Sequence, residues 1–183
     1  QKIKILLEQG NNSLYVGFQR FFHPVSLALR AFIESTSRSE LKSIDCSVGS
    51  YFPNWHVYED YRILYAGKKS LGGGALLDAG AYTIKAATVF LGSDLQVLTS
   101  SMHFSEIHEV DFYGAAQLKS GSGDIDIQVS YGFDNFYQNG VELWCSEGKL
   151  FTNRLFTAPS DLSPSVELTL KDGLHIIETQ RDD

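Results

Sequence analysis

The sequence VDFYGAAQLKSGSGDIDIQVSYGF, residues 110–133, decides the fold class of this chain. Its two halves, Val110–Lys119 and Ile125–Phe133, are rich in β-branched and aromatic residues, and the turn-forming pair Ser120-Gly121 lies between them. Such runs on either side of a glycine-containing turn predict two neighbouring antiparallel strands. The same pattern predicts further strands at Leu95–Phe104, Gly140–Ser146, Lys149–Asn153, Val166–Leu170 and Leu174–Glu178, with turns at Asn139-Gly140 and Asp172-Gly173.

The first half of the chain predicts helices as well as strands. β-Branched and aromatic residues indicate strands at Leu14–Gln19 and Leu41–Phe52. Apolar residues spaced by three and four indicate helices at Val25–Ile33, opened by Pro24, and at Ala75–Leu91. Two strand–helix units followed by strands alone favour the α+β class. We expect one large, open-faced, mainly antiparallel sheet with the helices on one face.

Composition limits the class of protein. The chain has 183 residues, 43% of them hydrophobic and 13% aromatic, so it can bury a core and is not predicted to be disordered. A net charge of −7 argues against a broad basic face for nucleic acid. No apolar run approaches the roughly 20 residues that cross a bilayer, and no secretory signal is evident. We expect a single cytoplasmic domain over residues 1–183, with Cys46 and Cys145 as buried reduced thiols.

The start of the chain predicts the end of a helix. Residues 1–9 have amphipathic spacing and Gly10 follows them, but the chain opens on Gln1 without Met and without a capping residue. We interpret residues 1–9 as the tail of a helix that links this domain to a preceding one.

Three consecutive glycines precede the second predicted helix. Leu77 follows Gly72-Gly73-Gly74 at the place where the dinucleotide-binding fingerprint has its last glycine, and Lys68-Lys69-Ser70 precedes them in place of a strand. The chain therefore carries no nucleotide-binding fingerprint of its own. The glycines either bring backbone and free amides close to a ligand or form a tight turn against a neighbouring segment.

The second predicted helix carries two sets of residues at helical spacing. Asp78, Tyr82 and Lys85 are close enough along the helix for their side chains to meet. A carboxylate that orients a phenol, with a cation nearby to lower the pKa of the phenol, can transfer protons; the alternative is a solvated polar face. The predicted core-facing set is Leu77, Ala81, Ile84, Thr88 and Leu91.

The segment before the glycines is a second candidate region. Pro53–Ser70 is polar and rich in aromatic residues, and loops longer than about 12–15 residues are usually functional or disordered. His23 lies at the end of a predicted element, where sites often occur. We expect no metal site, because His103, Glu106 and His108 lack ligand spacing on a single element.

Four motifs, in this order, resemble the C-terminal domain of one oxidoreductase family. They are Val16–Pro24, Glu59–Arg62, Leu71–Tyr82 and Trp144–Leu150, and the most specific is the triple glycine followed by Asp-x-Gly-x-Tyr. The combination is similar to the glucose–fructose oxidoreductase, inositol dehydrogenase and rhizopine catabolism family (Gfo/Idh/MocA). The resemblance covers nearly the whole chain. It implies that an N-terminal Rossmann domain, with the NAD or NADP site and a catalytic lysine, precedes Gln1.

The resemblance also implies roles for individual residues. Asp78 matches the active-site aspartate of the family, and Tyr82 matches the residue that exchanges a proton with the substrate oxygen. Phe21 and Lys85 depart from the Arg and the Asp or Asn that many members carry at these positions. The residues expected to shape the substrate pocket are His23, Trp55, Tyr58, Asp60, Arg62, Gly73, Gly74 and Lys85.

The activity implied by the resemblance is hydride transfer between a nicotinamide and a sugar hydroxyl or ketone. The segments Phe133–Tyr137 and Arg154–Pro159 look most similar to members that act on nucleotide-linked sugars. Two alternatives stay open: a dehydrogenase of free sugars, polyols or dihydrodiols, and a non-catalytic sheet module. We expect the chain alone to bind no cofactor and to be inactive. Because the aromatic content is too high to leave the open sheet face wet, we also expect a homodimer or tetramer through that face.

Overall fold

The computed structural model describes residues 8, 13–14, 17–35, 40–54, 63–156 and 164–179, and it confirms the α+β prediction. Its eight strands form one sheet in the order β2-β3-β4-β1-β5-β6-β7-β8, and every neighbouring pair is antiparallel except β1 and β4. The α-helices are α1 (Pro24–Ser35) and α2 (Ala81–Leu91). The strands are β1 (Leu41–Tyr51), β2 (Leu95–Phe104), β3 (Asp111–Ser120), β4 (Asp126–Gly132), β5 (Asp134–Cys145), β6 (Gly148–Thr152), β7 (Ser165–Leu170) and β8 (Gly173–Glu178).

Both helices pack on the same face of the sheet. Val25 and Leu29 of α1 and Phe90 of α2 are buried in one core with alternate residues of the central strands, such as Ile44 and Val129. Because successive strand residues point to opposite faces, this packing leaves the intervening residues on the other face. The predicted position of the helices is therefore confirmed.

The opposite face of the sheet is polar at its centre. The residues that point there from β1, β3 and β4 include Asp45, Ser47, Gln117, Gln128 and Ser130, and they line a shallow groove of about 480 Å³. The centre of this face is therefore polar and not aromatic, and the expected assembly through the face stays a prediction. Many of the aromatic residues pack on the helix side, in the core clusters, whereas Tyr113 and Trp144 lie on the open face.

A second, smaller core lies at the ends of β1 and β4. Phe52 and Phe133 are fully buried there, and their rings stack with centroids 4.9 Å apart. Phe112 meets both rings edge to face, at 5.7 and 5.8 Å. The same aromatic cluster contains Ala66, Ala75 and Ala79, which come from the segments on either side of the triple glycine. The cluster therefore packs both segments against the sheet.

Several local predictions are wrong. The described residues of the predicted strand over 14–19 are not in a strand: Leu14, Gly17 and Phe18 are irregular, and Gln19 begins a 3-10 helix, Gln19–Phe22. Asn139 and Gly140 lie inside β5, where both are buried, and do not form a turn. The predicted helix over 1–9 lies outside the described residues, apart from Glu8. Cys46 is fully buried and Cys145 half-buried, and both are free thiols.

The core-facing side of the second helix also differs from the prediction. The segment begins with a π-helical turn, Leu76–Gly80, before α2 starts. A π-turn takes more residues than an α-turn and so rotates the α-helical residues after it. Leu77 and Ile84 are consequently exposed, and the buried positions of α2 are Thr83, Ala86, Ala87, Phe90 and Leu91. Thr83 is accommodated because its hydroxyl donates to the Gly80 carbonyl at 2.9 Å.

The aromatic cluster provides a stability test. We expect Phe133→Ala to lower the free energy of unfolding by about 3–5 kcal/mol, because it removes a fully buried, stacked ring. Phe136→Ala is the matched control: its ring is 91% exposed, and we expect a change within about 0.5 kcal/mol. Urea unfolding of the two variants checks this. Equal destabilisation by both would show that the cluster does not hold the fold together.

Candidate functional site

Asp78 lies in the π-helical turn that precedes α2. It is half-buried, and the Tyr65 hydroxyl donates a hydrogen bond to its carboxylate. Burial raises the pKa of Asp78, while the bond from Tyr65 lowers it. The same bond, with burial and the nearby Asp78 charge, raises the pKa of Tyr65 to about 12. The pair is therefore a phenol that stays protonated at neutral pH, donating to a carboxylate.

Tyr82 begins the next turn and is held between two aromatic rings. Phe18 meets its ring edge to face at 5.7 Å, and Phe156 lies 5.9 Å away on a tilted plane. Tyr82 follows Asp78 by four residues, so it lies one turn beyond the carboxylate on the same helical segment. The two ring contacts leave Tyr82 half-buried, with its ring fixed by packing.

Lys85 is anchored on the same side of α2. Its Nζ atom lies 5.7 Å from the centroid of the Phe18 ring, within the range of a cation–π contact. Phe18 itself has φ 27°, in the left-handed region that a bulky residue rarely adopts. That backbone conformation presents one ring to both Tyr82 and Lys85. Asp78, Tyr82 and Lys85 thus lie on one helical segment, as predicted. The Asp78 carboxylate is bonded by Tyr65, and the other two side chains contact Phe18. Their catalytic roles stay predictions.

The glycines form a tight turn within the chain. The Gly73 amide donates to the Lys68 carbonyl at 3.0 Å, and the Gly74 amide donates to the Ala66 carbonyl at 2.8 Å. These amides are not free donors for a ligand, so of the two alternatives the structure has the tight turn. A Cβ atom at Gly73 would lie 2.3 Å from the Tyr65 carbonyl oxygen and 2.5 Å from that of Ala66. Glycine is needed at this position because the neighbouring backbone leaves no room for a side chain. Whether this backbone also approaches a substrate stays a prediction.

Asp111 fixes the other side of the turn, and sequence reasoning missed it. It is buried at the start of β3, and its Oδ2 atom accepts a hydrogen bond from the Leu76 amide at 2.7 Å. A carboxylate that accepts from the first amide of a helical turn stabilises that turn.

Tyr65 was also missed as a site residue. It lies in the aromatic segment 53–70, which was predicted to be a candidate region, but nothing local distinguished it from the other aromatic residues there.

The remaining predicted pocket residues fall into two groups. His23 is buried, and its Nδ1 atom accepts a hydrogen bond from the Val25 amide at 3.3 Å, which caps the start of α1. Its predicted role in substrate binding therefore competes with a structural one. Trp55, Tyr58, Asp60 and Arg62 lie outside the described residues.

A cavity of about 480 Å³ adjoins the π-helical turn at the ends of β1 and β5. Ala79, next to Asp78, lines one side, and Val48, Tyr137 and Asn139 are among the residues on the sheet side. The Tyr137 hydroxyl accepts bonds from Asn139 Nδ2 and Arg154 Nη1, each at 2.8 Å. Asn139 Oδ1 also accepts from the Phe156 amide at 2.7 Å, which connects this network to the ring that contacts Tyr82. The volume is within the range of small-molecule sites.

Neither a metal centre nor a membrane-spanning helix is found among the described residues. They contain no group of three or more His, Cys, Asp or Glu residues arranged to hold a metal ion. None of the helices described is long and apolar enough to cross a membrane.

Comparisons with known proteins identify the domain. The model of the GFO/IDH/MocA C-terminal domain matches residues 26–151. A dTDP-3,4-didehydro-2,6-dideoxy-alpha-D-glucose 3-reductase from Saccharopolyspora spinosa is 38% identical over 104 residues, which are 57% of this chain and 31% of the relative. The counterpart from Actinomadura kijaniata is 37% identical over 102 residues, or 56% and 30% of the two chains. The chain therefore spans about a third of the length of these relatives.

Solved structures show the same fold. A 3-ketoreductase from Actinomadura kijaniata, in complex with TDP-benzene and NADP, superposes with a TM-score of 0.80 at 26% identity, over 100% of this chain and 52% of that chain. An aldose-aldose oxidoreductase from Caulobacter crescentus, at 14% identity, has a TM-score of 0.76 over 96% of this chain and 50% of that chain and shows likeness of fold alone. Because the match over residues 26–151 covers more than half of the chain, this protein belongs to the GFO/IDH/MocA family, through the C-terminal domain of that family.

Proposed function

We propose that the complete protein is an NAD(P)-dependent oxidoreductase that reduces a keto group on a nucleotide-linked sugar. The observation that carries the proposal is the fixed arrangement of Asp78, bonded by Tyr65, and Tyr82, packed between two rings, one helical turn apart. Ala79, between them in the sequence, lines a cavity of about 480 Å³. The relatives named as dTDP-sugar 3-reductases, and the 3-ketoreductase solved with TDP-benzene and NADP, support the substrate class.

The glycine turn of this chain does not offer a dinucleotide site. Its glycine amides donate within the chain, and no cradle of free amides is available for a pyrophosphate. We therefore propose that another part of the complete protein holds NAD(P), whose nicotinamide supplies the hydride when bound. Cys46, buried and reduced here, suits the cytoplasmic location that we also propose.

The residues of this chain position the substrate and handle a proton. Tyr82, fixed by Phe18 and Phe156, donates its phenolic proton to the oxygen of the keto group as that oxygen gains negative charge. Asp78 accepts a hydrogen bond from a hydroxyl near the reacting carbon and so orients the sugar. Lys85, held over the Phe18 ring that also contacts Tyr82, brings a positive charge to the same side of the helix.

Tyr82→Phe tests the proton donor. It removes only the hydroxyl and preserves the ring contacts, so we expect turnover to fall roughly 10²- to 10⁴-fold with cofactor affinity unchanged. Steady-state kinetics of the complete protein with dTDP-linked keto sugars check this, and free sugars and polyols in the same assay test the alternative substrate class. Tyr113→Phe is the control, because Tyr113 stacks on His103 away from the site. Unimpaired turnover in Tyr82→Phe would remove Tyr82 from the mechanism.

Cofactor binding by residues 1–183 alone tests the division of labour. We expect calorimetry to detect no micromolar affinity for NAD or NADP, because the glycine amides are already bonded. The complete protein is the positive control. Micromolar binding to the isolated chain would show that the cofactor site has been assigned to the wrong part of the protein. A complete protein without any cofactor site would favour the non-catalytic module.

We also propose that the protein forms a homodimer, or a tetramer of such dimers, through the open face of the sheet. The face is regular and wide, and on it Asp45 lies opposite Glu142, whose carboxylate pairs with Lys149 Nζ at 2.6 Å. Burial and the adjacent Glu142 charge raise the pKa of Asp45, and a hydrogen bond from Trp144 lowers it. A second copy would meet a polar surface on which Glu142 is paired with Lys149 and Asp45 is bonded by Trp144.

Ser130→Arg tests this assembly. Ser130 lies mid-sheet between Ala115 and Ser47, so an arginine there would obstruct face-to-face packing of two copies. We expect light scattering to give a smaller assembly for this variant than for the unmodified protein. Ser122→Arg, in the exposed β3–β4 turn, should keep the original mass. A monomeric unmodified protein at micromolar concentration would contradict the proposal.

A further inference from the structure

Tyr65 contacts the candidate carboxylate directly, although none of the recognised motifs includes it. It begins a 3-10 turn, Tyr65–Gly67, and its hydroxyl reaches across to Asp78 in the π-helical turn. The pair joins two segments that are separated by the triple glycine in the sequence. We propose that Tyr65 is a positioning residue for Asp78: it holds the carboxylate beside Tyr82, and Gly73 is the residue that allows Tyr65 to reach it.

The backbone around Gly73 fixes where Tyr65 can lie. The Lys68 amide donates to the Tyr65 carbonyl at 2.9 Å, and the Gly74 amide donates to the Ala66 carbonyl at 2.8 Å. The Tyr65 and Ala66 carbonyl oxygens occupy the space that a Cβ atom at Gly73 would fill. Ala66 is buried in the aromatic cluster, which holds the turn against the sheet. These buried contacts fix the backbone from which the Tyr65 side chain extends, while the ring itself is half exposed.

The Asp78 side of the contact is fixed independently. The Asp78 amide donates to the Gly74 carbonyl at 3.1 Å, and Asp111 accepts from the Leu76 amide at 2.7 Å. The Gly80 Cα lies against the Tyr131 ring, where a Cβ atom would be 2.9 Å from a ring carbon. The turn thus has anchors before and after Asp78, and the bond from Tyr65 sets the orientation of the carboxylate between them.

The protonation states decide what Tyr65 can do. With its pKa raised to about 12 by the bond to Asp78, Tyr65 stays protonated at neutral pH and is a fixed donor. Its hydrogen bond lowers the pKa of Asp78 and so counteracts the effect of burial, which raises that pKa. The bond therefore helps to keep the carboxylate ionised. An ionised Asp78 has further lone pairs with which to accept from a substrate hydroxyl. Tyr65 acts through Asp78 and not on the substrate.

Other ionisable groups lie on the elements packed around the turn. They are Tyr82 and Lys85 of α2, Asp111, Tyr113 and Lys119 of β3, Asp126 and Tyr131 of β4, and Lys42, Asp45, Cys46 and Tyr51 of β1. Of these, Tyr82 acts electrostatically on Tyr65, whereas the effects on Asp78 are burial and the bond from Tyr65. Loss of the Tyr65 hydroxyl therefore moves the pKa of Asp78 in one direction, upward.

Tyr65→Phe, compared with Tyr113→Phe, tests the contact. We expect NMR titration of labelled aspartate carboxyls, with the Asp78 signal assigned through Asp78→Asn, to show a higher Asp78 midpoint in Tyr65→Phe and an unchanged midpoint in Tyr113→Phe. In the complete protein, the acid limb of the kcat/KM profile should move to higher pH, with a loss of roughly 10-fold or more near neutral pH. An Asp78 midpoint and acid limb that match the unmodified protein would overturn the proposal.

Gly73→Ala supplies a second variant that leaves the Tyr65 hydroxyl in place. Because the new Cβ atom must displace the Tyr65 and Ala66 carbonyls, we expect the same upward shift of the Asp78 midpoint. Gly17→Ala is the control, since nothing lies within 4 Å of a Cβ atom there. A folded Gly73→Ala protein with the original midpoint would overturn the role of Gly73. The catalytic role of the Tyr65–Asp78 contact rests on the proposed function. That function would fail if Asp78→Asn and Tyr82→Phe retained full turnover, and the NMR titration would still test the contact itself.

Discussion

The candidate site depends on one close approach of backbone to backbone. At Gly73 the chain runs against the Tyr65 and Ala66 carbonyl oxygens, with no space for a side chain between them. This approach brings a loop tyrosine to Asp78 and places Ala66 and Ala75 in one aromatic cluster. The conspicuous glycines therefore serve the internal geometry of the site, and the amides that would bind a phosphate in a nucleotide-binding loop are already bonded here.

Much of the sheet could be predicted because its physical causes are local. Period-two alternation places Ile44 and Cys46 in the core and Asp45 and Ser47 on the opposite face, as expected for a sheet covered on one side. The strand at Leu95–Phe104 begins and ends where predicted. Pro24 opens α1 and Gly92, with φ 94°, follows the last residue of α2, so both boundaries had clear sequence signals.

The errors arose where non-local packing decides the outcome. Asn139-Gly140 has the composition of a turn, yet Asn139 is buried in β5, because its side chain bonds both Tyr137 and the Phe156 amide. The π-helical turn changed which residues of α2 face the core, and its Asp111 anchor comes 33 residues after Asp78 (111 − 78). Asp78 could be found from its motif. Tyr65 could not, because the bond that distinguishes it exists only after the glycine turn has folded.

The two faces of the sheet separate the proposed chemistry from the proposed assembly. Val48 packs against both the main core and the aromatic cluster, so β1 links α2 to the turn that carries Asp78. Asp45 and Ser47 of the same strand point to the opposite face, toward Glu142 and the polar groove. Because alternate residues of one strand serve the two faces, a change in the open face can alter association without touching Asp78 directly. A change at Val48 cannot be confined in this way, since it lies between both cores and beside the cavity.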